Sequence, residues 1–290
     1  MSRAVRSRGG FVPEGDAVWR TARRLDRALS GSRLSTADFR VPSLATVDLS
    51  GALVRSTRPR GKHLLTRLAH PDQGEVTVHT HLKMEGSWQV YASGQRWRRP
   101  AEQARVVLRT PTNEAVGFSL GVVELLPTSG EGALLAHLGP DLLGRDWDPD
   151  LAAGRLRSHP ERPIHAALLD QRNLAGIGNM YAAELCFLVG IHPQSPVSGV
   201  PDLHRLLLRA HQVLNFNKTQ SSAVTTGDVR NGHRLWVYRR DGQPCLRCGT
   251  PIQVHRFETG RHDPARHDTR LREEQLRMAY WCPSCQPEST

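Results

Sequence analysis

Four of the five cysteines stand in two pairs, Cys245-x2-Cys248 and Cys282-x2-Cys285. Two close pairs of thiolates suit a tetrahedral metal with four short bonds, and zinc, which has no redox role, fits best. Such pairs are usually about 15–20 residues apart. Here Gly249 to Trp281 intervene, and the charged stretch Arg256–Gln275 reads as an inserted solvent loop at a hairpin tip. His255, His262 and His267 are rival ligands, but the second CxxC already completes a set of four. A hairpin this small has little core, and structural zinc supplies on the order of 10–16 kcal/mol in peptide-sized units. Cys186, in an apolar run, reads as a small core residue.

A second chemical feature is the turn Gly176-Ile177-Gly178-Asn179, between an apolar run ending in Asp170-Gln171-Arg172-Asn173 and a helix that Gly190 stops. Asn179 reads as its N-cap. Glycines before a helix let a ligand approach the backbone, and the N–H groups with the positive dipole end suit a phosphate. The same pattern equally makes a plain helical hairpin in a core.

Lysine is rare: Lys62, Lys83 and Lys218 are the only three. Lys62 follows Gly61 at the start of a strand, in Arg58-Pro59-Arg60-Gly61-Lys62-His63. Lys83 precedes an apolar residue in a polar turn, His81-Leu82-Lys83-Met84-Glu85-Gly86. Each also reads as a solvated loop, with Met84 folded back on the core. Pro13-Glu14-Gly15-Asp16 opens an amphipathic helix, as proline and acids do at ordinary helix starts.

The elements that must position these residues follow from the pattern. Residues 1–12 have no periodicity, and Val18, Ala22, Leu25 and Leu29 recur at helical spacing before Gly31. From Arg33 to about Leu126 come short β segments between Gly and Pro turns, including 52–54, 63–66, 75–79 and 104–108, as in an antiparallel sandwich or barrel. A linker then turns helical at Ala133–Leu138 and Pro149–Arg157, and Asp202–Val213 is a further amphipathic helix. Residues 217–234 read as polar loop. A net charge of +11 favours a polyanion as partner. No apolar run approaches the ~20 residues that span a membrane. Cysteines in CxxC pairs fit metal binding in a reducing compartment better than a disulfide framework, and with no secretory h-region the expected place is the cytoplasm with its nucleoid.

In this order the pieces resemble the formamidopyrimidine-DNA glycosylase/endonuclease VIII family of base-excision repair enzymes. The resemblance runs from Pro13 to Gln286 and rests on the Pro13–Asp16 string, Gly61-Lys62-His63, the Met84 loop, LLDQRNLAGIGNMYAAELCF and the terminal RMAYWCPSCQ. It implies an α+β fold, an N-terminal β-sandwich with a leading α-helix and a C-terminal helical domain with a helix–two-turns–helix and a zinc hairpin finger, DNA lying in the cleft. The expected parts are an extension at 1–12, a catalytic sandwich at 13–126, a linker at 127–150, a DNA-binding domain at 151–235 and the finger at 236–290.

The resemblance also implies roles. The family's nucleophile is an N-terminal proline amine, which attacks the sugar C1′ and forms a Schiff base as the damaged base leaves; Pro13 matches it. An α-amine titrates near pH 8, well below lysine, so more of it is uncharged at neutral pH. Glu14 matches the acid/base that opens the sugar ring. Lys62 matches a lysine that contacts phosphate and assists β-elimination, and Arg277 the finger arginine linked to δ-elimination. Asn179 matches the asparagine that holds a phosphate beside the lesion. Because the base must leave the stack, Lys83-Met84-Glu85 matches the loop that fills the hole. Damaged double-stranded DNA is the implied partner, one structural Zn2+ the implied cofactor and a monomer the implied state.

Three departures matter. The glutamate often found four residues after the proline is Ala17 here, and the finger carries a long insert. Above all, Pro13 is internal, and an internal proline nitrogen is a tertiary amide that cannot attack. The expectation is that translation starts at a GTG codon read as Val12, with removal of the initiator methionine. Proteolytic trimming, or a true extension leaving a zinc-containing DNA-binding protein without lyase activity, are the alternatives. The PEGD opening, and a short segment before Trp236, resemble endonuclease VIII more than the 8-oxoguanine/formamidopyrimidine branch. Oxidised pyrimidines are therefore the expected lesions.

Overall fold

The computed structural model of the protein describes residues 13–258 and 276–288. It divides between Ala136 and His137 into two units. The first begins with α1 (Gly15–Leu29), which buries Val18, Ala22, Leu25 and Leu29 along one face. Gly31, at φ +82°, takes the left-handed turn that ends it.

Eight strands follow: β1 (Thr36–Phe39), β2 (Leu53–Arg60), β3 (His63–His70), β4 (Gly74–His81), β5 (Ser87–Ala92), β6 (Ala104–Arg109), β7 (Asn113–Phe118) and β8 (Val122–Pro127). They form two four-stranded antiparallel sheets, ordered β1-β6-β7-β5 and β2-β3-β4-β8. A short helix, α2 (Glu131–Leu135), closes the unit. Leu64 and Leu68 of β3, Val76 and Val78 of β4 and Val106 and Leu108 of β6 share one core with the apolar face of α1. The expected sandwich with a leading helix is present. The helix expected at 133–138 is displaced toward the N-terminus, because its last turn already tightens where the Ala136 N–H meets Ala133 O.

The second unit holds α3 (Pro149–Arg157), α4 (Ile164–Leu169), α5 (Asn179–Val189) and α6 (Leu203–Asn217), then a hairpin of β9 (Gln253–Glu258) and β10 (Leu276–Trp281). α5 is buried from Met180 to Phe187, on every face, as the central helix of its unit. Gly190 ends it at φ +75°, and the Ile191 N–H closes back on Cys186 O. α6 runs past the expected Val213 because Leu214 and Asn217 are also buried. Of the expected loop at 256–275, Arg256–Glu258 belong to β9; the rest lies outside the described residues.

One local expectation fails. The N-cap of α5 is Gly178, and Asn179 is the first helical residue. The Asn179 side chain does not turn back on its own helix, because its Nδ2 donates to Met278 O on β10 at 2.8 Å.

Candidate active site and nucleic-acid interface

In the first unit, α1 and β2 lie side by side in opposite directions. The Gly31 N–H donates to Val54 O at 2.9 Å, and the Thr57 N–H to Asp26 Oδ1 at 2.8 Å. From Asp26 back to Pro13 is roughly 20 Å of helix, and from Thr57 on to Lys62 roughly 17 Å of strand. The lengths match, so Pro13-Glu14 and the Gly61-Lys62 turn stand at one end of the unit. Glu14 is the N-cap residue of α1 and is 2% exposed, so its backbone starts the helix while its side chain lies inside. Gly61 and Lys62 form a two-residue hairpin loop between paired Arg60 and His63, and Gly61 takes φ +56° there.

The third predicted loop joins the same end, since His63 pairs with His81, the last residue of β4. From there the chain makes a tight turn in which the Gly86 N–H returns to Leu82 O at 2.9 Å. A Cβ on Gly86 would sit 2.3 Å from that oxygen, so only glycine fits. Lys83 takes φ +53°, and its N–H donates to His81 Nδ1 at 3.0 Å. Met84 is left 72% exposed, not folded back on the core. An unbranched apolar side chain raised on a polar turn is suited to entering a gap between stacked bases.

Three histidines line the root of these loops. His63 Nδ1 meets His79 Nε2 at 2.8 Å, and His79 Nδ1 meets Glu124 Oε2 at 2.9 Å. The carboxylate can only accept, so His79 donates through Nδ1, and its Nε2 accepts from His63 when neutral. Burial, with the charges of His63, Lys83, Lys62 and His79, pushes His81 down to about 3 and keeps it neutral. Sequence reading missed this cluster. Its signal was His79-x-His81 on a strand, a spacing that puts both rings on one face.

In the second unit the turn before α5 is braced from within. Gln171 Nε2 donates to Leu169 O at 2.9 Å and Ile177 O at 2.8 Å, while its Oε1 accepts the Gly176 N–H at 3.0 Å. Asp170 bonds Arg162 and Arg172, each at 2.7 Å. Burial alone would raise its carboxyl, but the Arg172 and Arg162 hydrogen bonds outweigh it and hold it well below the usual range. The bond from Asn179 to Met278 sets the start of α5 one residue from exposed Arg277 on β10. Among the described residues, the buried Asn179 Oδ1 has no hydrogen-bond partner. The main-chain N–H groups of the first turn point out of the helix end, toward any anion placed there.

Behind this face sits Glu184, fully buried in α5. Its carboxylate accepts the N–H groups of Trp236, Val237 and Tyr238, each at 2.8 Å, and the Thr225 hydroxyl. Burial raises its pKa against the pull of Thr225 and the three N–H groups. It thereby ties the segment after α6 to the helix, another role that sequence reading missed. An acid inside Tyr181-Ala-Ala-Glu-Leu-Cys-Phe was the clue. Cys186, on the same helix, is fully buried and pushed up to about 12, which suits a core thiol and not a reactive one.

Cys245, Cys248, Cys282 and Cys285 converge, with all four Sγ atoms within 4.8 Å of one another. Tetrahedral zinc at about 2.3 Å from each sulfur would need separations near 3.8 Å. The Arg247 N–H also points at Cys245 Sγ from 3.4 Å, as it would toward a thiolate. The four cysteines can therefore hold a metal ion.

Two family models match the chain: the formamidopyrimidine-DNA glycosylase N-terminal domain over residues 12–119 and the formamidopyrimidine-DNA glycosylase H2TH domain over 138–224. A probable endonuclease 8 2 of Streptomyces coelicolor is 49% identical over 95% of this chain and 94% of its own. The chain belongs to the formamidopyrimidine-DNA glycosylase/endonuclease VIII family. A further relative, the DNA-(apurinic or apyrimidinic site) lyase Nei2 of Mycolicibacterium smegmatis, is 45% identical over 96% of this chain and all of its own. The fold matches formamidopyrimidine-DNA glycosylase of Lactococcus lactis, solved non-covalently bound to DNA with an AP site, with a TM-score of 0.75 at 21% identity over 95% of this chain and 100% of that one. Each unit has its own contents. The first unit gathers Pro13, Glu14, Lys62 and the Lys83–Glu85 turn, and the second joins Asn179 to the strand of Arg277. Among the described residues no helix is long and apolar enough to cross a membrane.

Proposed function

We propose that this protein is a bifunctional DNA glycosylase and AP lyase of base-excision repair, preferring oxidised pyrimidines. The observation that carries the reading is the gathering of Pro13, Glu14, Lys62 and exposed Met84 at one end of one unit, in a chain whose relatives include endonucleases 8 and an AP lyase. In this reading the Pro13 amine bonds the sugar C1′ as the bond to the damaged base breaks, and the iminium forms when the nitrogen has lost its proton and the C1′–O4′ bond opens. Glu14 moves the proton that opens the sugar ring, and Lys62 holds phosphate during loss of the 3′ oxygen. Met84 fills the gap. Asn179, through the start of α5, and Arg277 grip backbone phosphate. Damaged double-stranded DNA is the partner. Cys245, Cys248, Cys282 and Cys285 hold one zinc ion, whose part is to fold the hairpin that carries Arg277.

This chemistry requires a free amine at Pro13, so the active form begins there. One observation supports that reading: the N-terminal family match starts at Val12. The mass of protein made from the native gene should correspond to a chain starting at Pro13; a mass that retains residues 1–11 contradicts it. The lesion preference is tested by one purified batch on thymine-glycol, dihydrouracil and 8-oxoguanine duplexes. Release should be fastest from the two pyrimidines, and dominant 8-oxoguanine release would overturn the preference.

A further inference from the structure

The segment between β5 and β6, Gly94-Gln95-Arg96-Trp97-Arg98-Arg99-Pro100, has no role in the reading above. It is firmly seated. Trp97 packs edge-on against Phe118 at 5.7 Å between ring centroids and donates to Glu114 Oε1 at 2.7 Å. The Arg98 N–H donates to the Tyr91 hydroxyl at 3.1 Å. The next residue, Arg99, reaches from this anchored base to the turn that carries Met84.

Its guanidinium uses its donors on the far leg of that turn, on Gln103 and on the neighbouring loop. Nη1 donates to Ser87 Oγ at 2.8 Å and Glu85 O at 3.5 Å. Nη2 donates to Gln103 Oε1 at 2.7 Å and Ser119 Oγ at 3.2 Å, and Nε to Gln103 Oε1 at 3.0 Å. The group also lies over the Phe118 ring, 5.3 Å from its centroid. The loop reached through Ser119 supports the turn from its other side, since Gly121 lies so close to Lys83 that a Cβ there would meet Lys83 Cγ at 2.2 Å. Arg99 thus ties the far leg of the turn, Glu85 and Ser87, to the 119–121 loop that supports its near leg.

We propose that Arg99 is a positioning residue that holds the Met84 turn in shape for entry into the duplex. It acts through Met84 and touches no substrate. A wedge must push stacked bases apart, and a turn free to bend would yield to the stack instead of opening it. A planar fork holds five donors in fixed directions and can brace these acceptors at once, where a lysine ammonium has three donors on one atom at the end of a flexible stem. The proposal rests on the reading of Met84 as the wedge, and its test separates the two.

The test uses the full chain and a duplex in which a tetrahydrofuran abasic analogue faces 2-aminopurine, whose fluorescence reports unstacking; no Schiff base is needed. Arg99→Lys keeps the charge and loses the fork. It should raise Kd for the duplex at least about fivefold and remove most of the fluorescence change. Adding Arg99→Lys to Met84→Ala should raise Kd less than about twofold further, since the two act as one unit. Binding to the same abasic strand without its complement, which has no stack to open, should stay within about twofold for every variant. An Arg99→Lys protein that behaves as wild type would show a mere charge and overturn the proposal. So would equal loss on the single strand, or a full additional loss in the Met84→Ala background. A Met84→Ala protein with an intact fluorescence change would remove the wedge reading itself, and the proposal with it.

Discussion

Met84 and Asn179 stand on very different ground. Met84 stands exposed on a turn whose root is a sheet core of Leu64, Leu68, Val76 and Val78, with arginine and histidine side chains bracing it from behind. Asn179 starts a helix buried on all sides, with its amide already committed to Met278. In the first unit apolar burial holds the scaffold, and Lys62 and Met84 ride on turns between strands while Pro13 and Glu14 stand at the start of α1. In the second, buried polar bonds hold the loops themselves: Gln171 braces the turn, Glu184 ties down residues 236–238, and four cysteines frame the hairpin. Polar bracing inside a core is costly when broken, because each orphaned donor keeps its desolvation penalty. The second unit should therefore be the more fragile of the two, and the first the more tolerant at its site residues.

The largest break should come from the metal site. Removing zinc with a chelator, or replacing Cys282 by Ala, should unfold the β9–β10 hairpin and abolish DNA binding, a loss on the order of 10 kcal/mol for the hairpin. Zinc content and near-ultraviolet dichroism would show it, and retained binding by metal-free protein would contradict it. Next comes Glu184→Ala, which leaves three N–H groups and a hydroxyl without their acceptor. Urea unfolding should show a loss of about 3–5 kcal/mol.

A smaller effect sharpens the comparison on the first unit. His81 is neutral when folded, so the unfolded chain binds a proton first as pH falls. Its contribution is whole above about pH 6.5 and is lost as pH drops from there toward about 3, at no more than about 1.4 kcal/mol per pH unit. His81→Gln should flatten the fall of Tm between pH 7 and pH 5, and an unchanged slope would show that His81 is not the group responsible. Met84→Ala should change stability by less than about 0.5 kcal/mol, since its side chain is exposed, while still weakening binding to a lesion duplex.

The difference between the units also explains what was legible in the sequence. α1 could be read because its burial follows a simple period, Val18-Ala22-Leu25-Leu29, and the strands because short β-like runs stand between Gly and Pro turns. The metal site was legible because Cys-x2-Cys is a local pattern. Contacts between distant parts of the chain were not. Nothing near Asn179 announces that its amide turns to Met278, and so its capping role was misjudged. Glu184 reads as an oddity until residues 236–238 arrive beside it. His63 meets His79 and His81 only through the register of β3 with β4, which the hydrophobic pattern of two short strands leaves open. Lys62 and Met84 stood out only as residue types, a rare lysine after glycine and an apolar side chain in a polar turn.

The central claim is that Pro13, once its nitrogen is free, forms the covalent bond to the sugar. Borohydride trapping on an abasic-site duplex measures it directly, with the chain starting at Pro13, the chain bearing residues 1–12, and Pro13→Gly in the shorter chain run side by side. The account predicts a stable protein–DNA adduct with the Pro13-start chain, and loss of that adduct both with the extension in place and in Pro13→Gly. Equal trapping with and without residues 1–12, or full trapping by Pro13→Gly, would contradict it.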